Sequence, residues 1–173
     1  MDIHSVHAVL VGLHAASAVM SLLAGCFLLF SLGHLANRRL FGLYWWFLVG
    51  MVAALACAMV VYWTQYANTE RVIFTSLFVL GLFMLYRARS ASQLLKSQAI
   101  GWQRDYIEHI GFTLISLFEG FIIVTLLNSG SPGWLVALVA VLGVLMGRWV
   151  IGLAQRRAGT DLPKPWIPAD GEP

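Results

Sequence analysis

Charge is scarce in this chain: Asp, Glu, Lys and Arg make up 11% of its 173 residues, where a soluble domain carries about 25%. So few charges cannot coat a water-soluble fold of this size, which excludes an ordinary globular domain. Cysteine is scarce too. Cys26 and Cys57 both lie in apolar runs, where the side chain serves as a small, soft packing group and suggests no disulfide framework. Proline is missing from every long apolar run: Pro132 falls in a turn, and Pro163, Pro165, Pro168 and Pro173 lie near the C-terminus. No span is therefore expected to carry a proline kink. A phosphate-binding glycine loop, a Cys-x-x-Cys, a His-Glu-x-x-His and a serine elbow are all absent, and the polar stretches are too short to house an active site of their own. The basic residues sit at the ends of apolar runs and no soluble face collects them, so nucleic acid is not an expected partner.

What is present is hydrophobic sequence, 60% of the chain, with a mean hydropathy of +0.79. A helix needs about 20 apolar residues to cross a hydrocarbon core of ~30 Å. Five segments qualify, at about 6–32, 41–63, 72–89, 107–127 and 134–153. The expected fold is all-α, a single integral membrane helix bundle over residues 1–157 with the lipid bilayer as its surroundings. Residues 158–173 read as a Pro-rich tail. The first run lacks a basic lead-in and is too long for a signal-peptide core, so it reads as a span and not as a removable signal. Asn128-Ser129-Gly130-Ser131-Pro132-Gly133 is a dense turn signal separating spans four and five.

Orientation follows from the loop charges. Of eleven Lys and Arg, Arg71 alone falls on one side of the five spans. That asymmetry places the N-terminus outside and the C-terminus in the cytoplasm, as an odd number of spans requires. Trp45, Trp46, Trp63, Trp102, Trp134 and Trp149 fall near the expected interfaces, where an amphipathic indole is at home.

Between spans three and four, Leu95, Ala99, Trp102 and Tyr106 repeat at helical spacing and form one apolar stripe. Ser90 followed by Gln93 fits a capping box. Residues 90–106 read as a short amphipathic helix on the cytoplasmic membrane surface, or as an extension of span three or four.

In lipid, small residues and interhelical hydrogen bonds mark contact faces. Span one has such a face in His14, Ala18, Ser21 and Gly25, with Ser17 beside it. Span two offers Gly50, Ala54 and Cys57, and span four offers Thr113, Ser116 and Gly120. Span five contains Gly143-x-x-x-Gly147, a spacing that lets a neighbouring helix approach closely. Packing within one bundle is the plain reading of these glycines. Self-association or docking to other membrane subunits is the alternative.

An ionisable residue at membrane depth is costly and is a functional candidate by default. Glu119, mid-way along span four beside Ser116 and Gly120, needs to be neutral or paired there. It is either a proton or cation site or a structural hydrogen-bonding group. His14 is the deeper histidine of span one, with His4 and His7 closer to the surface. Spans one and four run in opposite directions, so His14 and Glu119 are within an axial offset of roughly 7 Å, and a hydrogen bond between them is expected. His14, Ser17, Ser116 and Glu119 then form the candidate intramembrane polar site. His34 and His109 lie near the cytoplasmic ends of spans one and four. Two histidines at one depth can hold a b-type haem between them, or a metal with Asp105 or Glu108. A second haem further out lacks a histidine pair, unless Met59 served opposite His14.

At Arg38-Arg39-Leu40-Phe41-Gly42-Leu43-Tyr44 the chain resembles a family of small, uncharacterised prokaryotic multi-pass membrane proteins. These carry a His at the start of span one and a His-Arg…Gly…Tyr signature before span two. His7 or His14 matches the first. Asn37 stands where the second histidine falls, and the Gly-to-Tyr spacing is one residue shorter. The resemblance covers about a third of the chain and implies a prokaryotic plasma or inner membrane location, a fold, and no established activity. The expectation for function is a non-enzymatic polytopic protein with no required cofactor, either an accessory subunit of a larger membrane complex or a bundle handling a small solute or proton around His14 and Glu119. The alternative is an electron-transfer module with haem between His34 and His109.

Overall fold

A computed structural model describes residues 3–30, 38–97 and 101–160. They form five helices, α1 (Ile3–Phe30), α2 (Arg38–Tyr62), α3 (Asn68–Ser97), α4 (Trp102–Asn128) and α5 (Gly133–Thr160), and no strand occurs among the described residues. Each helix is long and apolar enough to cross a membrane. α5 continues to Thr160, three residues into the stretch read from sequence as tail.

The turns close by local chemistry. Glu70 Oε2 accepts from the Ala67 amide at 2.9 Å and caps the start of α3. Gly130, with φ +74°, ends α4. The Ser131 amide then reaches back to the Leu126 carbonyl at 3.1 Å, the six-to-one bond of a Schellman end. The dense turn signal at 128–133 therefore terminates one helix and starts the next within a few residues.

α1 packs on α2 and α4, and α3 packs on α2 and α4. The first four helices thus form a closed ring, and among the described residues α5 touches α4 alone. At one end of the bundle lie the start of α1 and the α2–α3 and α4–α5 turns. The opposite end, here called the basic end, holds Arg38, Arg87, Arg89, Lys96 and Arg104.

Unlike a water-soluble bundle, this one is apolar on the outside as well as within. The interior holds small and hydroxyl residues among its bulkier apolar ones, including Ser17, Ser21, Gly25, Ala88, Ala91, Thr113 and Ser116. Phe30, Val60, Trp46 and Trp149 stand on the outside. α1 buries Ser17, Ser21, Gly25 and Leu28 on one face, the side that its small residues predict. A Cβ on Gly25 would stand 2.5 Å from Leu114 Cδ2 and 3.2 Å from a Tyr44 ring carbon, so this glycine sets how closely α1 approaches α4 and α2.

The α4–α5 contact is a register of three matched pairs. A Cβ on Gly143 would overlap the Glu119 carboxyl, one on Gly147 would lie 2.6 Å from Ile115, and one on Gly111 would lie 3.0 Å from Ile151. Residues 111, 115 and 119 ascend by one turn each as 151, 147 and 143 descend, which is antiparallel packing of two i, i+4 ridges. The Gly143-x-x-x-Gly147 motif therefore works inside the bundle. Gly50 differs, since its Cβ would meet Ser17 Oγ at an ordinary 3.6 Å.

The separate amphipathic helix over 90–106 is corrected. α3 runs unbroken to Ser97 and α4 begins at Trp102, so the segment is split between extensions of the two spans. Ser90 is no cap: its hydroxyl donates to the Tyr86 carbonyl within the continuing helix. Tyr106 is buried, with Leu95 and Trp102 packed against the same core. The apolar stripe is real, but it faces neighbouring helices. Ala99 lies outside the described residues.

Candidate functional site

The ring of α1 to α4 is tightly filled in its basic half, where Leu28, Tyr44, Tyr106, Ile110 and Thr113 are almost fully buried. The Tyr44 hydroxyl has no hydrogen-bond partner among the described residues, and the Thr113 hydroxyl donates to the His109 carbonyl of its own helix at 2.9 Å. In the other half the four helices line a partly open cavity of about 320 Å³. Its walls are apolar, with Met51, Val52, Met84, Leu117 and Phe121 among them, and its polar groups include His14 and Ser116. A small-ligand pocket holds about 300–1,000 Å³ and is mostly apolar with a few convergent polar groups. This cavity meets both descriptions.

His14 is held by α2. Its Nδ1 lies 2.9 Å from the Met51 carbonyl oxygen. A carbonyl only accepts, so Nδ1 carries the proton, and in the neutral ring Nε2 keeps a bare lone pair. One turn further along α1, Ser17 is buried, and Ser21 is fully buried with its hydroxyl unpartnered among the described residues. Ser116 reaches the same cavity from α4. His14 and Ser116 thus share the cavity wall, while the Ser17 hydroxyl lies beside Gly50 of α2.

Glu119 does not join them, and the expected His14–Glu119 hydrogen bond is corrected. The carboxyl turns to α5, against Gly143 and beside the Val144 backbone, with Oε1 buried and unpartnered among the described residues. The reason is helical phase. Gly111, Ile115 and Glu119 share the α5-facing ridge, whereas Ser116, Leu117 and Gly120 face the ring.

Of the second candidate pair, His34 lies outside the described residues. His109 is half-buried on α4, its Nδ1 without a hydrogen bond among the described residues. Glu108, considered as a co-ligand, is engaged elsewhere: Oε1 accepts from Arg87 Nη2 at 3.1 Å, and Gln155 of α5 lies 3.5 Å from Oε2. Among the described residues no three His, Cys, Asp or Glu side chains are grouped to hold a metal ion. Met59 is buried in α2, while Met51 supplies the carbonyl that orients His14.

Two constellations escaped the sequence reading. At the end where α1 starts, His4 Nδ1 lies 2.7 Å from the Tyr62 hydroxyl, and His7 stacks on Tyr62 with ring centres 4.2 Å apart. Tyr66 extends the stack to Phe74, and its phenol titrates above the ordinary range because it is partly buried and lies near the Glu70 carboxylate. At the basic end, Arg87 clamps α3 to α4 through Glu108 and lies 5.3 Å above the Phe112 ring. The signal for the first was Tyr62 at the end of span two with Tyr66 just beyond it. For the second it was Arg87 and Glu108 near the facing ends of apolar spans three and four.

No family model, curated protein or solved structure matches the chain.

Proposed function

We propose that this chain is a non-enzymatic integral membrane protein, N-terminus outside and C-terminus cytoplasmic, that holds a small lipophilic molecule in the chamber between α1 and α4. The observation that carries this reading is the apolar cavity of about 320 Å³ with His14 on its wall, oriented by Met51. An imidazole fixed through Nδ1 offers an acceptor at Nε2, and Ser116 offers a hydroxyl. The matching ligand is mostly apolar with one O–H or N–H to donate. The orientation is supported by the single cation, Arg71, at the end opposite the basic one. Glu119 contributes to the α4–α5 contact and lies outside the chamber.

Mass spectrometry of the organic extract of protein purified in mild detergent tests this. A lipophilic species enriched over the surrounding membrane is expected with the wild type. It should be lost in Gly120→Phe, whose side chain fills the cavity from a position with nothing within 4 Å of a Cβ. An extract that mirrors the bulk membrane and is indifferent to Gly120→Phe and His14→Ala would overturn the reading. A visible Soret band lost in His34→Ala and His109→Ala would favour a haem-holding electron-transfer module instead.

A further inference from the structure

At the basic end, α2 and α3 line a groove of about 300 Å³ on the opposite half of the bundle from the chamber. Its two walls are matched. From α2 come Arg38, Phe41 and Trp45, at i, i+3 and i+7; from α3 come Arg89, Ser92 and Lys96, at the same spacing. Each set lies on one helix face. Gly42 leaves the floor open, with nothing within 4 Å of where a Cβ would stand.

The electrostatics are one-sided. Among the described residues no Asp or Glu lines the groove. Arg38, Arg89 and Lys96 have no ion pair among the described residues, although Arg87 on the same helix is neutralised by Glu108. A general bias of cations towards the cytoplasm asks only that they lie at this end. It does not ask three of them, from two helices, to converge on one cleft over Phe41, Trp45 and Leu95. A cleft cationic at the rim and aromatic at the floor is complementary to an amphiphile with an anionic head and an acyl chain, and a free inorganic anion would leave the floor unused.

We infer that the α2–α3 groove binds the headgroup of an anionic phospholipid, its phosphate between Arg38, Arg89 and Lys96 and the start of its acyl chains on Trp45 and Phe41. Arginine supplies paired donors to phosphate oxygens and lysine a point charge, and basic pockets between spans at the cytoplasmic side suit such headgroups. The inference rests on the insertion and orientation proposed above. It is independent of what fills the chamber.

The test uses the full chain in nanodiscs of phosphatidylcholine alone and of phosphatidylcholine mixed with phosphatidylglycerol, with bound lipid counted by native mass spectrometry after transfer to detergent. Wild type is expected to retain phosphatidylglycerol in preference to phosphatidylcholine. The combined variant Arg38→Gln/Arg89→Gln/Lys96→Gln should weaken that retention about a hundredfold. Arg104→Gln/Arg156→Gln removes cations of the same end from outside the groove and should change it little. Equal loss in the two variants would reduce the effect to general charge and overturn the site. Displacement of the lipid by inorganic phosphate at matched concentration would overturn the lipid assignment and leave a plain anion site. Trp45→Ala, which keeps all three cations, guards against misfolding of the triple variant. It should weaken phosphatidylglycerol retention while leaving the helical circular dichroism unchanged, and full retention would overturn the role given to the floor. Loss of the chamber ligand with retention of phosphatidylglycerol, or the reverse, separates the two proposals.

Discussion

The Glu119 carboxyl sits on Gly143, in the space a Cβ would need. One contact therefore joins the acidic residue of span four to half of the glycine motif in span five. The helix that carries Gly143 has no other neighbour among the described residues, so this ridge decides whether α5 stays docked.

Gly143→Ala is expected to weaken the fold by about 1–3 kcal/mol, the usual cost of forcing extra volume into a packed contact. The measurement is unfolding in mixed micelles titrated with SDS. Adding Glu119→Ala to the same chain should recover much of the loss, because the overlapping group is then gone. A double-mutant cycle that showed the two changes to be additive would contradict the contact. Gly50→Ala is the control. Its Cβ has room at 3.6 Å from Ser17 Oγ, and alanine is the better helix former by up to about 1 kcal/mol, so neutrality or slight stabilisation is expected.

His14→Ala removes the bond to the Met51 carbonyl and should cost about 1 kcal/mol, the scale of interhelical hydrogen bonds in membranes. It should also release the molecule held in the chamber. Glu119→Gln should leave that molecule in place, since Glu119 lies on the α5 side of α4. Loss of the ligand in both variants would mean that the two side chains act together after all.

Arg87 and Glu108 invite a test of what an ion pair at the bundle's basic end contributes. The Glu108 side chain is half-exposed, and such pairs are worth about 0–1 kcal/mol. Glu108→Gln should therefore cost under about 1 kcal/mol, less in high salt. Arg87→Ala should cost more, about 1–2 kcal/mol, because it also uncovers the Phe112 ring beneath the guanidinium. Equal effects of the two substitutions in the SDS titration would remove the ring contact from the account.

The five helices were legible in the sequence because transfer into hydrocarbon is summed residue by residue, and Arg38–Tyr62 or Trp134–Leu153 needs no partner to declare itself. Rotation of a helix about its axis is another matter. Ser116, Glu119 and Gly120 are close in sequence, yet Glu119 faces α5 while the other two face the ring. Which neighbour takes which face depends on the whole assembly, so hydropathy could not say that His14 would find Met51 before Glu119. The stripe Leu95, Trp102 and Tyr106 shows the same ambiguity. Its period is identical whether the apolar face meets a lipid surface or another helix, and here it meets the core. The basic groove escaped notice because Arg38 and Lys96 are far apart along the chain and come together only when α2 and α3 pack.

Orientation can be tested directly at the turns. Cys26 is half-buried and Cys57 faces outward from α2, so both are first replaced by alanine to give a background without thiols. Gln65 sits exposed in the turn between α2 and α3, at the end holding only Arg71, and Asp105 is exposed in the first turn of α4 at the basic end. Gln65→Cys is expected to react with a membrane-impermeant maleimide added to intact cells. Asp105→Cys should react only after the membrane is opened, since the excess of Lys and Arg at its end holds that side in the cytoplasm. The opposite labelling pattern would invert the bundle and set the phospholipid groove against the outer leaflet, where few anionic lipids wait for it. Labelling of both positions in intact cells would mean that charge placement alone does not hold the chain in one orientation.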